Sequence, residues 1–237
     1  MSISAPTYDL QSCAVFGRTL GEYRRYFALD GILPHYSFLD VAAGSASFTA
    51  EAHELGYRAR ALDPAYAMNG RALRLRIQED YERCIDRLKL SRAHFQAAAD
   101  QTLQAAIQRR ADARDRFLAD FPAGQGMGRY LADGLPFTGL ETGAFDYVLC
   151  GHFLFLYGHF EEFDYAFHLA AAQELARVAR IEARIYPVIQ MNSEPYPHLD
   201  ALREALEGQG IASELRPVDY EFLRGANQML VLRRENA

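Results

Sequence analysis

The stretch Phe38-Leu-Asp-Val-Ala-Ala-Gly-Ser-Ala-Ser-Phe48 decides the fold. Its apolar opening reads as a buried strand, its small residues as a sharp turn, and Phe48-Thr-Ala-Glu-Ala52 as the start of a helix. Strand, small-residue turn and helix start together form a cradle for a nucleotide-like ligand. Small side chains let the backbone approach the ligand, and N–H groups at the helix start offer donors. Nineteen residues beyond Gly44 a second apolar run ends at Asp63, where a carboxylate can accept hydrogen bonds from ribose hydroxyls.

Working outward, Val15, Leu20, Tyr23, Tyr26 and Phe27 recur near helical spacing, which predicts a helix over about 12–29, ended by Gly31 and Pro34. Gly56 closes the helix after the turn, and Tyr57–Leu62 reads as the second strand. From Met68 to Phe121 apolar residues keep a three-to-four-residue spacing, which predicts packed helices. A parallel crossover needs only about a dozen residues, so the stretch 68–122 is a helical insertion. Its charge reads as a solvated helix face, with a cap over a substrate pocket as the sharper alternative.

Pro122 and the glycines 124, 126 and 128 mark the return to the sheet. A short strand within Gly128–Phe137 runs into a turn carrying Asp133, and Asp146–Cys150 is an apolar strand. A helix over about 163–178, a strand over Glu182–Ile189 and a helix over His198–Glu207 follow. Ser213–Pro217 and Gln228–Arg234 read as a final antiparallel pair. The expected fold class is α/β: a doubly wound, mostly parallel sheet with a terminal antiparallel strand pair and a helical insertion after the second strand. All 237 residues are expected in one domain, with an N-terminal helical segment over 10–30.

Bulk composition narrows the function classes. Half the residues are hydrophobic and a quarter charged, as in an ordinary globular protein, and no apolar run approaches a membrane span. Cys13, Cys84 and Cys150 lack metal-ligand spacing and read as reduced thiols. With no basic start or apolar signal core, the chain is expected in the cytoplasm. A net charge of −6 argues against nucleic acid as a charge-driven partner.

Four segments, in order, resemble the motifs of the class I S-adenosylmethionine-dependent methyltransferases. Asp40-Val-Ala-Ala-Gly44 is similar to the first motif, a strand ending in Asp-x-Gly-x-Gly, and Asp63 stands where that family holds the ribose hydroxyls. Ala132-Asp-Gly-Leu-Pro-Phe137 resembles the third motif, where an acid and a neighbouring amide bind adenine, and Phe145-Asp-Tyr-Val-Leu-Cys150 resembles the fourth-strand motif beneath the reactive methyl. The resemblance implies S-adenosylmethionine as cofactor. It would be held by Asp40, Ala42, Gly44, Ser45, Phe48, Asp63, Pro64, Asp133, Gly134, Leu135, Cys150 and Gly151. Ala42 and Ala46 depart from the family's glycines; a methyl there is expected to narrow the approach and restrict φ to negative values.

A sulfonium-bound methyl needs no metal, so the expected protein contribution is proximity and orientation. His152, just past the fourth strand, is the candidate general base because a histidine titrates near neutrality. Tyr157 is a candidate lining of the acceptor pocket. Cys150-Gly151-His152 is neither the Asn- or Asp-Pro-Pro-aromatic motif of amino-methylating nucleic-acid enzymes nor a Pro-Cys pair, so a small-molecule acceptor is expected. Two other readings remain at this level. One is a degenerate cofactor-binding protein acting through protein contacts, supported by the alanines of the turn. The other is a nicotinamide-dependent oxidoreductase, since Asp63 would also suit an NAD ribose.

Overall fold

The computed structural model describes residues 13–90 and 102–235. One seven-stranded sheet runs through it in the order β3-β2-β1-β4-β5-β7-β6. The parallel strands are β1 (Ser37–Val41), β2 (Arg58–Leu62), β3 (Tyr130–Leu131), β4 (Phe145–Gly151) and β5 (Ala179–Tyr186). β7 (Gln228–Arg234) is antiparallel to both β5 and β6 (Ile211–Pro217). The helices are α1 (Leu20–Tyr26), α2 (Phe48–Glu54), α3 (Gly70–Leu90), α4 (Leu103–Gly126), α5 (Tyr165–Val178) and α6 (Leu199–Glu207). This is the expected α/β fold, with the antiparallel β7 wedged between β5 and β6. A dinucleotide-binding sheet of order 3-2-1-4-5-6 has no such strand.

Strand side chains alternate between faces, and the core shows that period of two. Phe38, Tyr147 and Leu149 pack into one apolar cluster with α1 and α2. Leu39, Val41, Val148 and Cys150 pack into another, under α5 and α6. A third cluster, built from Tyr66, Phe117, Phe121 and Tyr130, joins α4 to the β3 edge. Burial on both faces explains why β1 and β4 read as continuous apolar runs. The strand order reverses between β1 and β4, and the crevice beyond their carboxyl ends is where such sheets bind ligands.

The structure corrects several boundaries. The N-terminal helix is only Leu20–Tyr26; residues 13–19 run without regular structure, and residues 10–12 lie outside the described part. The reason is close packing: a Cβ on Gly17 would stand 2.0 Å from the Ser45 carbonyl oxygen, so this stretch is pressed flat on the turn. Pro122 sits inside α4, which continues to Gly126 instead of stopping. β5 begins at Ala179 and ends before Pro187, so the proline lies past the strand. The helices of the insertion are α3 and α4, and the segment expected to join them falls largely outside the described residues.

Candidate functional site

The turn after β1 is shaped by two residues with left-handed backbone, Ala42 and Gly44, each at φ +55°. Glycine adopts this path freely, whereas an alanine there carries a steric cost of about 1–2 kcal/mol. The expectation that a methyl at Ala42 restricts φ to negative values is therefore wrong. The turn keeps the path a glycine would take, with strain in place of deformation. Fixed contacts hold it: the Gly44 N–H donates to Asp63 Oδ2 at 2.9 Å, and the Tyr66 hydroxyl donates to the Gly44 carbonyl at 2.7 Å. The Ala65 N–H donates to Asp63 Oδ1 at 2.9 Å. Asp63 thus links the ends of β1 and β2.

Residues 13–19 form a strap over this turn. Val15 N donates to Asp80 Oδ2 at 2.8 Å, and its carbonyl accepts from Ser45 Oγ at 3.2 Å. Ala14 N donates to the Tyr157 hydroxyl at 3.2 Å, and the Ser47 N–H donates to the Arg18 carbonyl at 3.0 Å. The strap thus takes one of the donors expected to face a ligand at the start of α2. Beyond it, Glu22 of α1 is buried against Arg110 of α4, which donates to both carboxylate oxygens. Tyr220 Oη donates to Glu22 at 2.8 Å and Thr19 N at 3.1 Å. Burial alone would raise the Glu22 pKa, but the Arg110 charge and these hydrogen bonds hold it well below the usual carboxylate range.

Strap, turn, α3 and the segment after β4 enclose a cavity of about 520 Å³, a size that suits a cofactor or drug-sized ligand. Of the residues singled out from sequence, Ala42, Gly44, Asp63, Pro64, Gly134, Leu135, Gly151, His152 and Tyr157 line it. Asp40, Ser45, Phe48, Asp133 and Cys150 do not. Asp40 is fully buried, and its carboxylate accepts from Tyr23 Oη at 2.8 Å. Burial pushes its pKa well up, so this carboxyl is held toward its neutral form behind the Tyr23 ring. Phe48 stacks on that ring. Asp133 is exposed and accepts from the Gly134 N–H at 2.9 Å, so the amide that the resemblance assigns to adenine is already engaged. Cys150 is a buried strand thiol whose pKa burial pushes up to about 12, which removes nucleophilic thiolate at neutral pH.

His152 departs from its expected behaviour. It sits at φ +57° with its N–H donating to the Tyr186 carbonyl, and its ring meets Tyr26 and Tyr186 edge-on at 5.1 Å each. Burial pushes its pKa well below the ordinary value, and the Arg18 and Arg110 charges push it further. It is a neutral imidazole at physiological pH, not a group that titrates near neutrality. Its Nδ1 is buried with no hydrogen-bond partner among the described residues. A neutral ring can still accept a hydrogen bond, but it is a poor proton store.

Asp63 carries the test of whether a ribose-bearing cofactor fits. Each of its oxygens accepts one backbone N–H, which leaves lone pairs on both for two hydroxyl donors. Burial raises its pKa, opposed by the hydrogen bonds from Ala65 and Gly44, so further donors would stabilise the ionised form. Sequence reasoning missed the strap's part in the cavity, from Cys13 to Arg18, together with Tyr23, Arg76 and Met191. Apolar spacing around Leu20 suggested helix; Gly17 was the one signal of a close backbone approach.

No protein-family model matches the chain. It is 28% identical over 227 residues to an uncharacterized protein of Methanocaldococcus jannaschii, MJ0045, covering 95% of this chain and 98% of that one. Among solved structures, magnesium protoporphyrin IX methyltransferase from Synechocystis PCC 6803, determined with bound SAM, is 14% identical with a TM-score of 0.43, covering 88% of this chain and 74% of that one. The mitomycin 7-O-methyltransferase MmcR is 14% identical with a TM-score of 0.47, covering 91% of this chain and 53% of that one. The chain therefore spans about half the length of MmcR. The glycopeptide N-methyltransferase MtfA is 12% identical with a TM-score of 0.45, covering 87% and 86%. At these identities and scores no residue inherits a role, and the fold rests on the strand order itself.

Proposed function

We propose that the protein transfers a methyl group from S-adenosylmethionine to a small-molecule acceptor. The observation that carries this reading is the Asp63 carboxylate, fixed at the end of β2 by Gly44 and Ala65 and lining the cavity at the sheet's switch point. Asp63 is the residue for the ribose hydroxyls, Gly44 gives close backbone approach, and Pro64, Gly134 and Leu135 form the wall for the base. The cofactor, when bound, supplies a methyl already activated on a sulfonium. The chain supplies enclosure and orientation. Phe153, Leu156 and Tyr157 exclude water from the far side of the cavity, and neutral His152 offers an acceptor for a hydrogen bond from an incoming nucleophile. This casts His152 as a positioning group first and a proton acceptor only for an acidic proton.

Two features favour this reading over those left open by sequence. The antiparallel β7 does not belong to a dinucleotide-binding sheet. Ala42 follows the glycine path, which removes the deformation expected of a degenerate site. The experiment is a thermal-shift series followed by turnover. A ligand at a hundred times its Kd adds about 2.7 kcal/mol to stability. S-adenosylmethionine and S-adenosylhomocysteine should raise the midpoint and NAD should not, and labelled methyl should pass to a small acceptor. Stabilisation by NAD alone contradicts the reading. So does cofactor binding without turnover on any small acceptor tried.

A further inference from the structure

Among the described residues, Arg18 is the cavity-lining cation with no carboxylate in direct ion-pair contact. The other lining arginine, Arg76, is neutralised by Asp80 at 2.7 Å and also donates to the Cys13 carbonyl at 2.9 Å. Arg18 Nη1 reaches only the Phe16 and Gly17 carbonyls, at 3.4 and 3.3 Å, and no carboxylate among the described residues stands within ion-pair distance of it. Its Nε is buried without a hydrogen-bond partner among the described residues. Nearby Glu22 is committed to Arg110, Tyr220 and Thr19. Arg177, by contrast, meets Glu174 with two N–H donors at 2.7 and 2.8 Å. Glu22 feels the Arg18 charge, but a partly buried guanidinium with no carboxylate in direct contact has room to take a ligand's anion.

The surroundings of that charge define what the ligand looks like. Phe16, Phe153, Tyr157, Phe163 and Phe167 line the same cavity and offer flat apolar faces. Arg18 lines the cavity together with His152 and Tyr157, past the end of β4, and its charge acts on both of them as well as on Glu22 and Tyr26 of α1. It is not among the leading influences on Asp40 or Asp63, at the turn. Arg18 therefore shares this cavity with His152, Phe153 and Tyr157, the residues proposed to line the acceptor. We propose that the methyl acceptor is a small aromatic molecule bearing a carboxylate, and that Arg18 receives that carboxylate. This deepens the proposed function and rests on it for the word acceptor. Arg18 is a specificity residue here: its planar fork matches a carboxylate in a way a lysine ammonium does not.

The test is isothermal titration of benzoate, 4-hydroxybenzoate and indole-3-acetate, each against its neutral amide, into protein loaded with S-adenosylhomocysteine. At least one acid should bind about tenfold or more tightly than its amide, the scale of a charge-assisted hydrogen bond. Arg18→Gln should abolish that preference, Arg18→Lys should keep part of it, and nucleoside affinity should hardly change. The proposal is overturned if none of the acids binds, or if Arg18→Gln binds them as the wild type does. It is also overturned if Arg18→Gln loses S-adenosylhomocysteine but keeps 5′-methylthioadenosine, which lacks the amino-acid end, because Arg18 then serves the nucleoside's own carboxylate. If the wild type binds no S-adenosylhomocysteine, the nucleoside reading fails separately. Acid binding to the unloaded protein that Arg18→Gln abolishes would still uphold Arg18 as the carboxylate receptor.

Discussion

Replacing Arg110 by methionine should be among the most damaging single changes outside the cavity. Both partners of the pair are buried, with Arg110 1% and Glu22 3% exposed, and the guanidinium contacts both carboxylate oxygens. Methionine fills similar space but removes both direct guanidinium contacts, leaving Glu22 the Arg109 Nε at 3.9 Å, and breaking such a buried pair costs about 3–5 kcal/mol. For a chain of this size each kcal/mol moves the midpoint by about 2–4 °C, so the loss should be about 6–20 °C. Adding Glu22→Gln removes the charge while keeping an acceptor for Tyr220 and Thr19, and the double variant should recover at least about 2 kcal/mol. The sign with pH follows from the lowered Glu22 pKa. Its contribution is full above the unfolded value near 4.3 and is lost as pH falls towards the folded value. In Arg110→Met burial raises the Glu22 pKa, so the gap between wild type and variant in urea denaturation should narrow as pH falls through the variant's raised value. A loss under about 1 kcal/mol at pH 7, or strictly additive single and double variants, would refute the reasoning.

Ala42→Gly should stabilise the protein. Relief of about 1–2 kcal/mol of left-handed strain exceeds the roughly 0.4–1 kcal/mol of added unfolded-state entropy, and a clear loss in denaturant would contradict the φ assigned to Ala42. The His152 imidazole should stay neutral by nitrogen NMR from pH 8 down through its ordinary value near 6.5. Because the unfolded chain takes up that proton first, the His152 contribution to stability is full above about pH 6.5 and lost as pH falls below it. A titration midpoint near 6.5 in the folded protein would restore His152 as a neutral-pH base.

The parts of the fold most legible in sequence were those written by periodicity. β1 and β4 are buried on both faces, so they stand out as apolar runs, and the paired β6 and β7 flank the turn around Gly225. The position of Asp63 was legible for a related reason, since the second apolar run ends at it and the fold places it in the cavity. What sequence could not give was long-range contact. The strap's role depends on Gly17 lying against Ser45 and on Val15 meeting Asp80, partners 28 and 65 residues apart. Apolar spacing around Leu20 could not distinguish a helix from a stretch pressed onto a turn. The lowered pKa of His152 comes first from its burial and then from the Arg18 and Arg110 charges, all of which only the fold supplies. The φ of Ala42 was misjudged because a local rule for alanine yields to a turn clamped at Gly44 by Asp63 and Tyr66.

The claim at the centre of the account is that Asp63 holds the ribose of an S-adenosyl nucleoside in this cavity. Titration of S-adenosylhomocysteine into wild type and Asp63→Asn, with both folded midpoints checked, tests it most directly. The expected result is one site in the wild type and an affinity lower by about tenfold or more in Asp63→Asn, the worth of hydrogen bonds to a charged acceptor. Equal affinity in the two proteins, or no binding to the wild type at millimolar nucleoside, would contradict the account.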